Sequence, residues 1–579
     1  MSSDLGFILL TTVIGFLSYS TNALLHSGSA SHGVSPRDYY LTTDAHWFNQ
    51  TLDHYSPHVR YKLSNKSIRF VALLSKFKNF IYFPLQDHRK FRQRYYEYLD
   101  NFRAPDGPVF MIICGEGPCS GIAKDYMSVL AKKFEAGVVS LEHRYYGKSY
   151  PFNSLATENL RYLSSKQALF DLAAFRQHYQ ASLGFKSFME SYIIMEALNV
   201  KLNRSSDNPW FFFGVSYPGA LSAWFRLKFP HLTCGSLASS AVVHAVYDFS
   251  AFDQQIGESA GQECKDALEE TNKLLELGLK VNRKAVKALF NATELHVDAD
   301  FLYLTADAAV MAFQYGNSDK LCVPLVKAKK NGSDLVETYS KYVRDHCMKV
   351  WGLHVRPYNR KHLRNTVVTA DSTYRIWWFQ VCTELAYFQV APANNSVRSQ
   401  QINTEYHLDL CKSLFGKGTY PDVDATNLYY GGHKIAATKI IFTNGSQDPW
   451  RHASKQTSSP ELPSYIMDCH NCGHGTDLRG CPQSPMVIEG PVRLSVASGS
   501  DQRQRLAAPR IQQIHKHQKE QNERATVREK TDKLGRGSKL LGRERESKWS
   551  TEKPNKLGHE KESKLRIENR YSLTATREL

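Results

Sequence analysis

Residues 210–219, which read WFFFGVSYPG, are the stretch that decides the fold of this chain. Four aromatic residues in a row, at 210–213, predict a strand that is buried within a sheet. Gly214 and Gly219 lie on either side of Ser216 and predict a sharp turn, because a strained turn leaves little room for side chains. The following residues, 220–229, are predicted to be helical. The stretch therefore predicts a strand, a tight turn that carries a serine, and a helix.

A serine at such a turn resembles the nucleophile elbow, in which a Gly-x-Ser-x-Gly pattern connects a strand to a helix. In this chain the second glycine stands one residue further along. The helix N-terminus would direct backbone N–H groups at a developing oxyanion, and the N–H of Tyr217 is the first candidate donor. The second candidate is Gly115-Glu116, in the loop that follows the apolar run 108–114. A tight turn that simply needs glycine is the alternative interpretation of that loop.

Strands and helices alternate around this unit. Strands are predicted over residues 137–141 and 235–243, and a helix over residues 165–179. Such alternation predicts an α/β fold in which helices cover both faces of a parallel sheet. Helical spacing then dominates residues 245–431, and strand character returns at residues 439–444. We therefore predict an α/β-hydrolase domain in two parts, 40–244 and 432–495, with a mostly helical cap at 245–431 between them.

Two polar loops beyond the predicted cap supply a candidate acid and a candidate base. Asp448 follows the strand at 439–444, and His474 lies in a loop flanked by glycines. The chain order Ser216, Asp448, His474 is that of the α/β-hydrolases. A serine hydroxyl is a weak nucleophile that needs a histidine base, and the acid orients that base. Each residue also has a structural alternative, since Asp448 precedes a proline and suits a turn, and His474 is one of 22 histidines.

Six segments in the same order resemble the family that includes lysosomal Pro-X carboxypeptidase, dipeptidyl peptidase II and thymus-specific serine protease. They are WFNQ at 47–50 with Asp53-His54, GEGP at 115–118, EHRYYG at 142–147, GVSY at 214–217, Asn444-Gly445 with Asp448-Pro449-Trp450, and Gly473-His474 with Asp477-Leu478-Arg479. The similarity extends over about residues 47–490 and is greatest to the plant members of the embryo-sac-development-arrest type.

The resemblance implies a serine exopeptidase that cleaves peptides near a chain terminus, often beside proline. It maps the catalytic triad onto Ser216, Asp448 and His474, and it gives Arg479 a role in tuning the histidine charge, with a surface cation as the alternative. Carboxypeptidase and dipeptidyl aminopeptidase activities both stay open, and a homodimer is compatible with the family. We expect no cofactor and no metal, because the Cys-x-x-Cys-x-His pattern at 469–474 has irregular spacing for zinc.

The composition and the N-terminal residues predict entry into the secretory pathway. Residues 1–23 predict a signal peptide with an apolar run at 5–17, although a buried N-terminal helix is the alternative. The chain has 11 cysteines, which suits an oxidising compartment. Its candidate glycosylation sites are the Asn-x-Ser/Thr asparagines Asn49, Asn65, Asn203, Asn291, Asn331, Asn394 and Asn444. We expect a vacuolar, lysosomal or extracellular location, without stable membrane insertion after signal cleavage.

Three segments depart from the family pattern, and two of them carry most of the net charge of +17. Residues 58–85 and 184–200 interrupt the first half of the α/β domain, and residues 496–579 form a basic tail that we expect to be disordered. Translated introns or a faulty gene model would account for all three. The tail mixes 21 basic with 12 acidic residues and lacks interleaved aromatics, so we expect no nucleic-acid partner. Two alternatives are a binding protein that uses this tail and an inactive hydrolase relic.

Overall fold

The computed structural model describes residues 39–55, 89–195, 207–394 and 396–479, with the backbone alone for residues 184–195. The predicted signal peptide at 1–23, the segment 58–85, the tail 496–579 and the sequons at Asn65 and Asn203 lie outside these residues. The strands of the described residues are β1 (Tyr40–Thr42), β2 (Ala45–Thr51), β3 (Lys90–Tyr98), β4 (Val109–Ile113), β5 (Ile122–Ala123), β6 (Gly137–Leu141), β7 (Trp210–Val215), β8 (Gly235–Ser239), β9 (Ile440–Gly445) and β10 (Ser464–Met467).

Eight of these strands form one twisted α/β sheet in the order β10-β9-β8-β7-β4-β6-β3-β2. Strand β3 is antiparallel to both β2 and β6, whereas the pairs from β6 to β10 are parallel. The carboxyl ends of β7, β8 and β9 therefore lie side by side at one edge, where ligands bind in sheets of this kind. Strands β1 and β5 pair separately as a small antiparallel ribbon.

Helices cover both faces of the large sheet. They are α1 (Tyr126–Phe134), α2 (Thr157–Leu160), α3 (Ser165–Met195), α4 (Tyr217–Lys228), α5 (Ser250–Leu289), α6 (Asp298–Gln314), α7 (Ser318–Lys330), α8 (Leu335–Tyr342), α9 (Arg360–Leu363), α10 (Ser372–Gln380), α11 (Thr404–Phe415), α12 (Val423–Tyr430) and α13 (Thr476–Arg479). Short π-helical turns at Val343–Met348 and Val381–Leu385 extend α8 and α10. The named elements between β8 and β9 are all helical, in the range where the sequence predicts a cap.

Alternate residues of the central strand β7 face two different hydrophobic cores. Trp210 and Phe212 pack into the larger core, and Phe211 and Phe213 pack into the smaller one. Side chains alternate across a strand, so a strand that is covered on both faces can be apolar at every position. This explains the aromatic run at 210–213 and confirms the predicted α/β-hydrolase arrangement of a sheet with helices on both faces.

Some element boundaries differ from the sequence prediction. Helix α4 begins at Tyr217 rather than at 220, because the chain reverses at the single residue Ser216, which has a φ of 65°. The strand predicted over 235–243 ends at Ser239, where a positive φ of 42° at Ser240 turns the chain. Helix α3 continues to Met195, so part of the predicted insertion at 184–200 is helical backbone.

Four disulfides occur among the described residues: Cys114–Cys119, Cys264–Cys322, Cys382–Cys411 and Cys469–Cys472. The cysteines of the zinc-like pattern at 469–474 are thus bonded to each other. In the part of the chain that the structure describes, no helix has the length and apolar character that a membrane span requires.

Candidate active site

Ser216 occupies the strained turn that the sequence predicts. Its φ of 65° and ψ of −130° belong to a region that residues other than glycine rarely adopt. A methyl group on Gly214 would lie 2.1 Å from the carbonyl oxygen of Pro218, and one on Gly219 would lie 2.7 Å from that of Ser239. Both glycines are therefore required by close backbone approach. The turn is held by a hydrogen bond from the Ser216 N–H to the Ser239 carbonyl at 2.9 Å.

Asp448 and His474 form a buried pair. The Asp448 carboxylate lies 2.9 and 3.0 Å from His474 Nδ1, and side-chain exposure is 0% for the aspartate and 1% for the histidine. A carboxylate only accepts hydrogen bonds, so Nδ1 donates and Nε2 is the basic nitrogen of the neutral ring. Asp448 also accepts a hydrogen bond from the Trp450 N–H at 2.9 Å. Asp448 therefore caps the turn that begins at Pro449 and also contacts His474.

The loop that carries His474 is fixed from two sides. The His474 N–H donates to the carbonyl of Gln314 at the end of α6, at 2.7 Å. The Gly475 N–H donates to Ser240 Oγ beyond β8, at 2.9 Å. A methyl group on Gly473 would lie 2.3 Å from the Gln314 carbonyl oxygen. Glycine at this position lets the loop lie directly against the end of α6.

Asp477 anchors the same loop to the sheet. Its carboxylate accepts a hydrogen bond from Thr443 Oγ1 at 2.6 Å and another from the hydroxyl of Ser239. These donors lie on β9 and β8, so Asp477 connects the histidine loop to two neighbouring strand ends. From the sequence, Asp477 was a member of the histidine motif without a predicted role. The side chain of Arg479 lies outside the described residues, and its proposed effect on the histidine stays a prediction.

Ser216 and His474 line one cavity at the carboxyl edge of the sheet. Val242, beyond β8, and Trp450, after Asp448, contribute to the domain side of its wall. Residues between β8 and β9 supply most of the rest, including Asp307, Val310, Met311, Gln314 and Trp377, and Glu116 after β4 completes the lining. The cavity thus lies between the sheet edge and the helical segment that the sequence predicts as a cap.

The loop after β4 lies beside the first turn of α4. A methyl group on Gly115 would be 2.4 Å from Pro218 Cγ, which shows how closely the two segments pack. Glu116 is 3% exposed and lines the cavity with Ser216. Burial raises the pKa of the Glu116 carboxyl group to about 8, against a smaller opposing effect of its own backbone N–H.

Glu142, from the EHRYYG segment, holds this loop in place. Its carboxylate accepts hydrogen bonds from the Cys119 N–H at 3.0 Å and from Arg94 at 2.5 Å. It also accepts from the Lys148 N–H at 2.8 Å and from Ser149 Oγ at 2.7 Å. Four donors to one buried carboxylate compensate for its removal from water. The first residue of the segment therefore supports the site from behind and does not line the cavity.

A second buried network surrounds the side chain of Tyr217. Its hydroxyl accepts a hydrogen bond from Gln380 Nε2 at 2.8 Å and donates to His143 Nε2 at 3.1 Å. His143 Nδ1 donates to the Arg144 carbonyl at 2.8 Å, and burial lowers the His143 pKa to about 4, so the ring is neutral. Tyr146 completes the network by donating to Gln380 Oε1 at 2.7 Å. Sequence reasoning missed Gln380, because its two tyrosine partners lie more than 160 residues away.

The sequons differ in accessibility. Asn49, Asn291, Asn331 and Asn394 are exposed. Asn444 is fully buried at the end of β9, where its Nδ2 donates to the Lys455 carbonyl at 3.4 Å. An oligosaccharide at Asn444 has no room in this fold, so the prediction of a glycan there is not retained.

Comparison with known proteins identifies the family of this chain. The family model described as serine carboxypeptidase S28 matches residues 81–486. The chain is 72% identical over 495 residues to probable serine protease EDA2 of Arabidopsis thaliana, covering 85% of this chain and 92% of that protein. It is 32% identical over 432 residues to the thymus-specific serine protease of Mus musculus, covering 68% of this chain and 80% of that protein. The chain therefore belongs to the S28 family and is a serine peptidase with an α/β-hydrolase fold.

Proposed function

We propose that this chain is an exopeptidase that hydrolyses peptides near a terminus, with Ser216 as nucleophile, His474 as base and Asp448 as the residue that orients His474. The observation that carries the proposal is the buried Asp448–His474 pair, whose histidine lines the same cavity as the serine at the strained elbow. Three independent loops, after β7, β9 and β10, supply the three residues at one edge of the sheet.

The proposed reaction proceeds through an acyl-enzyme. His474 removes the Ser216 proton as the hydroxyl oxygen attacks the scissile carbonyl, and the imidazolium then protonates the leaving amine. Water, deprotonated by the same histidine, releases the acyl group from serine. The oxyanion is stabilised by the Tyr217 N–H, which has no acceptor within its helix because it is in the first turn, and by an N–H of the Gly115 loop.

Cleavage near a terminus and beside proline is supported by the walls of the cavity. Helices between β8 and β9 cover the sheet edge, which favours a chain end over the middle of a folded polypeptide. Trp377, Trp450 and Met311 present apolar surface to the cavity, and a proline ring suits such surface because it is apolar and rigid. The family description as carboxypeptidase is in accord with terminal cleavage.

A secretory location is part of the same proposal. Four disulfides among the described residues favour an oxidising compartment, since thiols are kept reduced in the cytosol. The exposed sequons at Asn49, Asn291, Asn331 and Asn394 are available for glycosylation in that compartment. Vacuolar, lysosomal and extracellular locations all fit these observations.

The decisive experiment is labelling of the purified full chain with a serine-directed fluorophosphonate, followed by peptide mass mapping. We expect one label on Ser216, with loss of both label and peptide hydrolysis in Ser216→Ala. Ser182→Ala is the matched control, because the Ser182 hydroxyl donates to the Tyr179 carbonyl within its own helix, α3, away from the cavity. A thermal melt of each variant checks that the fold is intact. Hydrolysis that persists in Ser216→Ala contradicts the proposal, and a folded wild-type chain without label indicates an inactive relic.

A further inference from the structure

Glu116 is a buried acid at the candidate active site that the proposed reaction does not use. The side chain is 3% exposed and lies on the wall that Ser216 and His474 also line. Its Oε2 atom is buried and accepts no hydrogen bond from the described residues. A buried acceptor without a donor costs about 1–3 kcal/mol in ordinary proteins. A group that is retained at such a cost beside a nucleophile is a candidate for binding substrate.

The charges around the cavity favour a cationic partner for Glu116. Asp307 is the other acid of the lining, and it already has partners, since it accepts a hydrogen bond from Tyr358 at 2.8 Å and lies 3.7 Å from Arg398 Nη1. The described lining contains no lysine and no arginine. A peptide carboxylate would therefore meet two acids without a basic side chain on the wall. Burial raises the pKa of the Glu116 carboxyl group to about 8, and an ammonium group beside it would favour the ionised form and donate to it.

We propose that Glu116 binds the free α-ammonium group of the peptide substrate, so that the enzyme removes short fragments from the N-terminus. This inference rests on the proposed peptidase function and specifies which end of the substrate enters the cavity. An ammonium group has three N–H donors, and one of them would satisfy Glu116 Oε2 in a charge-assisted hydrogen bond. Because Glu116 and Ser216 line the same cavity, the bond that is cleaved lies within a few residues of the amine.

The test compares three forms of one proline-containing hexapeptide: unmodified, N-acetylated and C-amidated. We expect the wild-type chain to cleave the unmodified and C-amidated peptides at similar kcat/KM and to release an N-terminal fragment, identified by mass spectrometry. The N-acetylated peptide should be cleaved about 10- to 100-fold more slowly, as expected for loss of a charged hydrogen bond. Cleavage that tolerates N-acetylation and is blocked by C-amidation overturns the inference, and would point to a protonated Glu116 that donates to a carboxylate.

Glu116→Gln isolates the charge, because the side chains have nearly the same shape. We expect its kcat/KM for the unmodified peptide to fall to that for the N-acetylated peptide, with the latter unchanged. Glu337→Gln is the control, since Glu337 is an exposed residue of α8 with 53% side-chain exposure. An equal loss for all three peptides assigns a structural role to Glu116 and overturns the inference.

Fluorophosphonate labelling separates this inference from the proposed function. A chain that is labelled and cleaves peptides regardless of N-acetylation remains a serine peptidase without the amine site. A chain that is neither labelled nor active contradicts both. The comparison of blocked peptides uses the wild-type chain alone, so it decides the matter even where a Glu116 variant does not fold.

Discussion

Replacing Glu116 with glutamine should change how the stability of the protein depends on pH. Burial raises the pKa of the Glu116 carboxyl group from 4.5 to about 8 in the folded chain. Between these values the folded chain holds a proton that the unfolded chain has released, so the free energy of unfolding falls as pH rises. Glutamine does not titrate, so the unfolding free energy of the variant does not fall for this reason as pH rises. The variant should therefore gain stability relative to the wild-type chain as pH rises through this window.

The size of the effect follows from the two pKa values of Glu116. They differ by about 3.5, and each whole pKa step corresponds to about 1.4 kcal/mol. The difference in unfolding free energy between variant and wild type therefore has an upper limit of about 5 kcal/mol near pH 8. At pH 6 the variant should gain about 2 kcal/mol of unfolding free energy relative to the wild-type chain, and below pH 4.5 it should gain almost none. Other titrating groups contribute equally to both proteins, so the difference between variant and wild type isolates Glu116.

The assay is chemical denaturation of both full-length proteins at pH 4.5, 6.0 and 7.5, followed by tryptophan fluorescence. The Glu337→Gln control should stay within about 1 kcal/mol of the wild-type chain at every pH, because its carboxyl group is exposed and its ion pair with Arg344 lies at the surface. A constant difference between Glu116→Gln and wild type across these three pH values refutes the reasoning. A difference of opposite sign means that the ionised carboxylate is stabilised by a cation in the folded protein.

Three further predictions concern the residues around the serine. Asp448→Asn removes the charge that orients His474, and kcat for peptide hydrolysis should fall about 10⁴-fold; a loss below tenfold in a steady-state assay would contradict the triad. Tyr217→Phe removes the hydrogen bonds of the hydroxyl to Gln380 and His143 and should lower the free energy of unfolding by about 1–3 kcal/mol, as measured by urea denaturation. Gly445→Ala places a methyl group 2.2 Å from the Gly473 carbonyl oxygen. The histidine loop must then move, so kcat should fall more than KM rises.

Much of the architecture was accessible from local patterns. The strand, turn and helix at 210–229 were predicted because aromatic residues and glycines report directly on burial and on close backbone approach. The order Ser216, Asp448, His474 along the chain indicated which strand ends carry the site. The helical character of residues 245–431 was also local, since periodicity of apolar side chains is a short-range property. Element ends were less accurate, because single backbone angles such as that of Ser240 decide them.

The roles of individual buried polar residues depended on contacts between distant parts of the chain. Glu142 was part of a recognised segment, but two of its four donors, Arg94 and Cys119, lie in other parts of the chain. Gln380 carried no sequence signal, although it joins the predicted cap to the residue after Ser216. Asn444 satisfied the sequon pattern, yet it is buried in β9. A motif lists residue types, whereas burial and hydrogen bonding depend on which segments meet in space.

The sequence by itself determined the α/β-hydrolase class, the serine at the elbow and the two later loops with their acid and histidine. Only the tertiary structure decided that Asp448 and His474 form a buried pair, that Ser216 lies on the same cavity, and that Glu116 faces it without a hydrogen-bond donor for Oε2. The physical reason is that strand and turn propensities act over a few residues. Electrostatic and hydrogen-bonding environments instead arise from residues separated by tens to hundreds of positions.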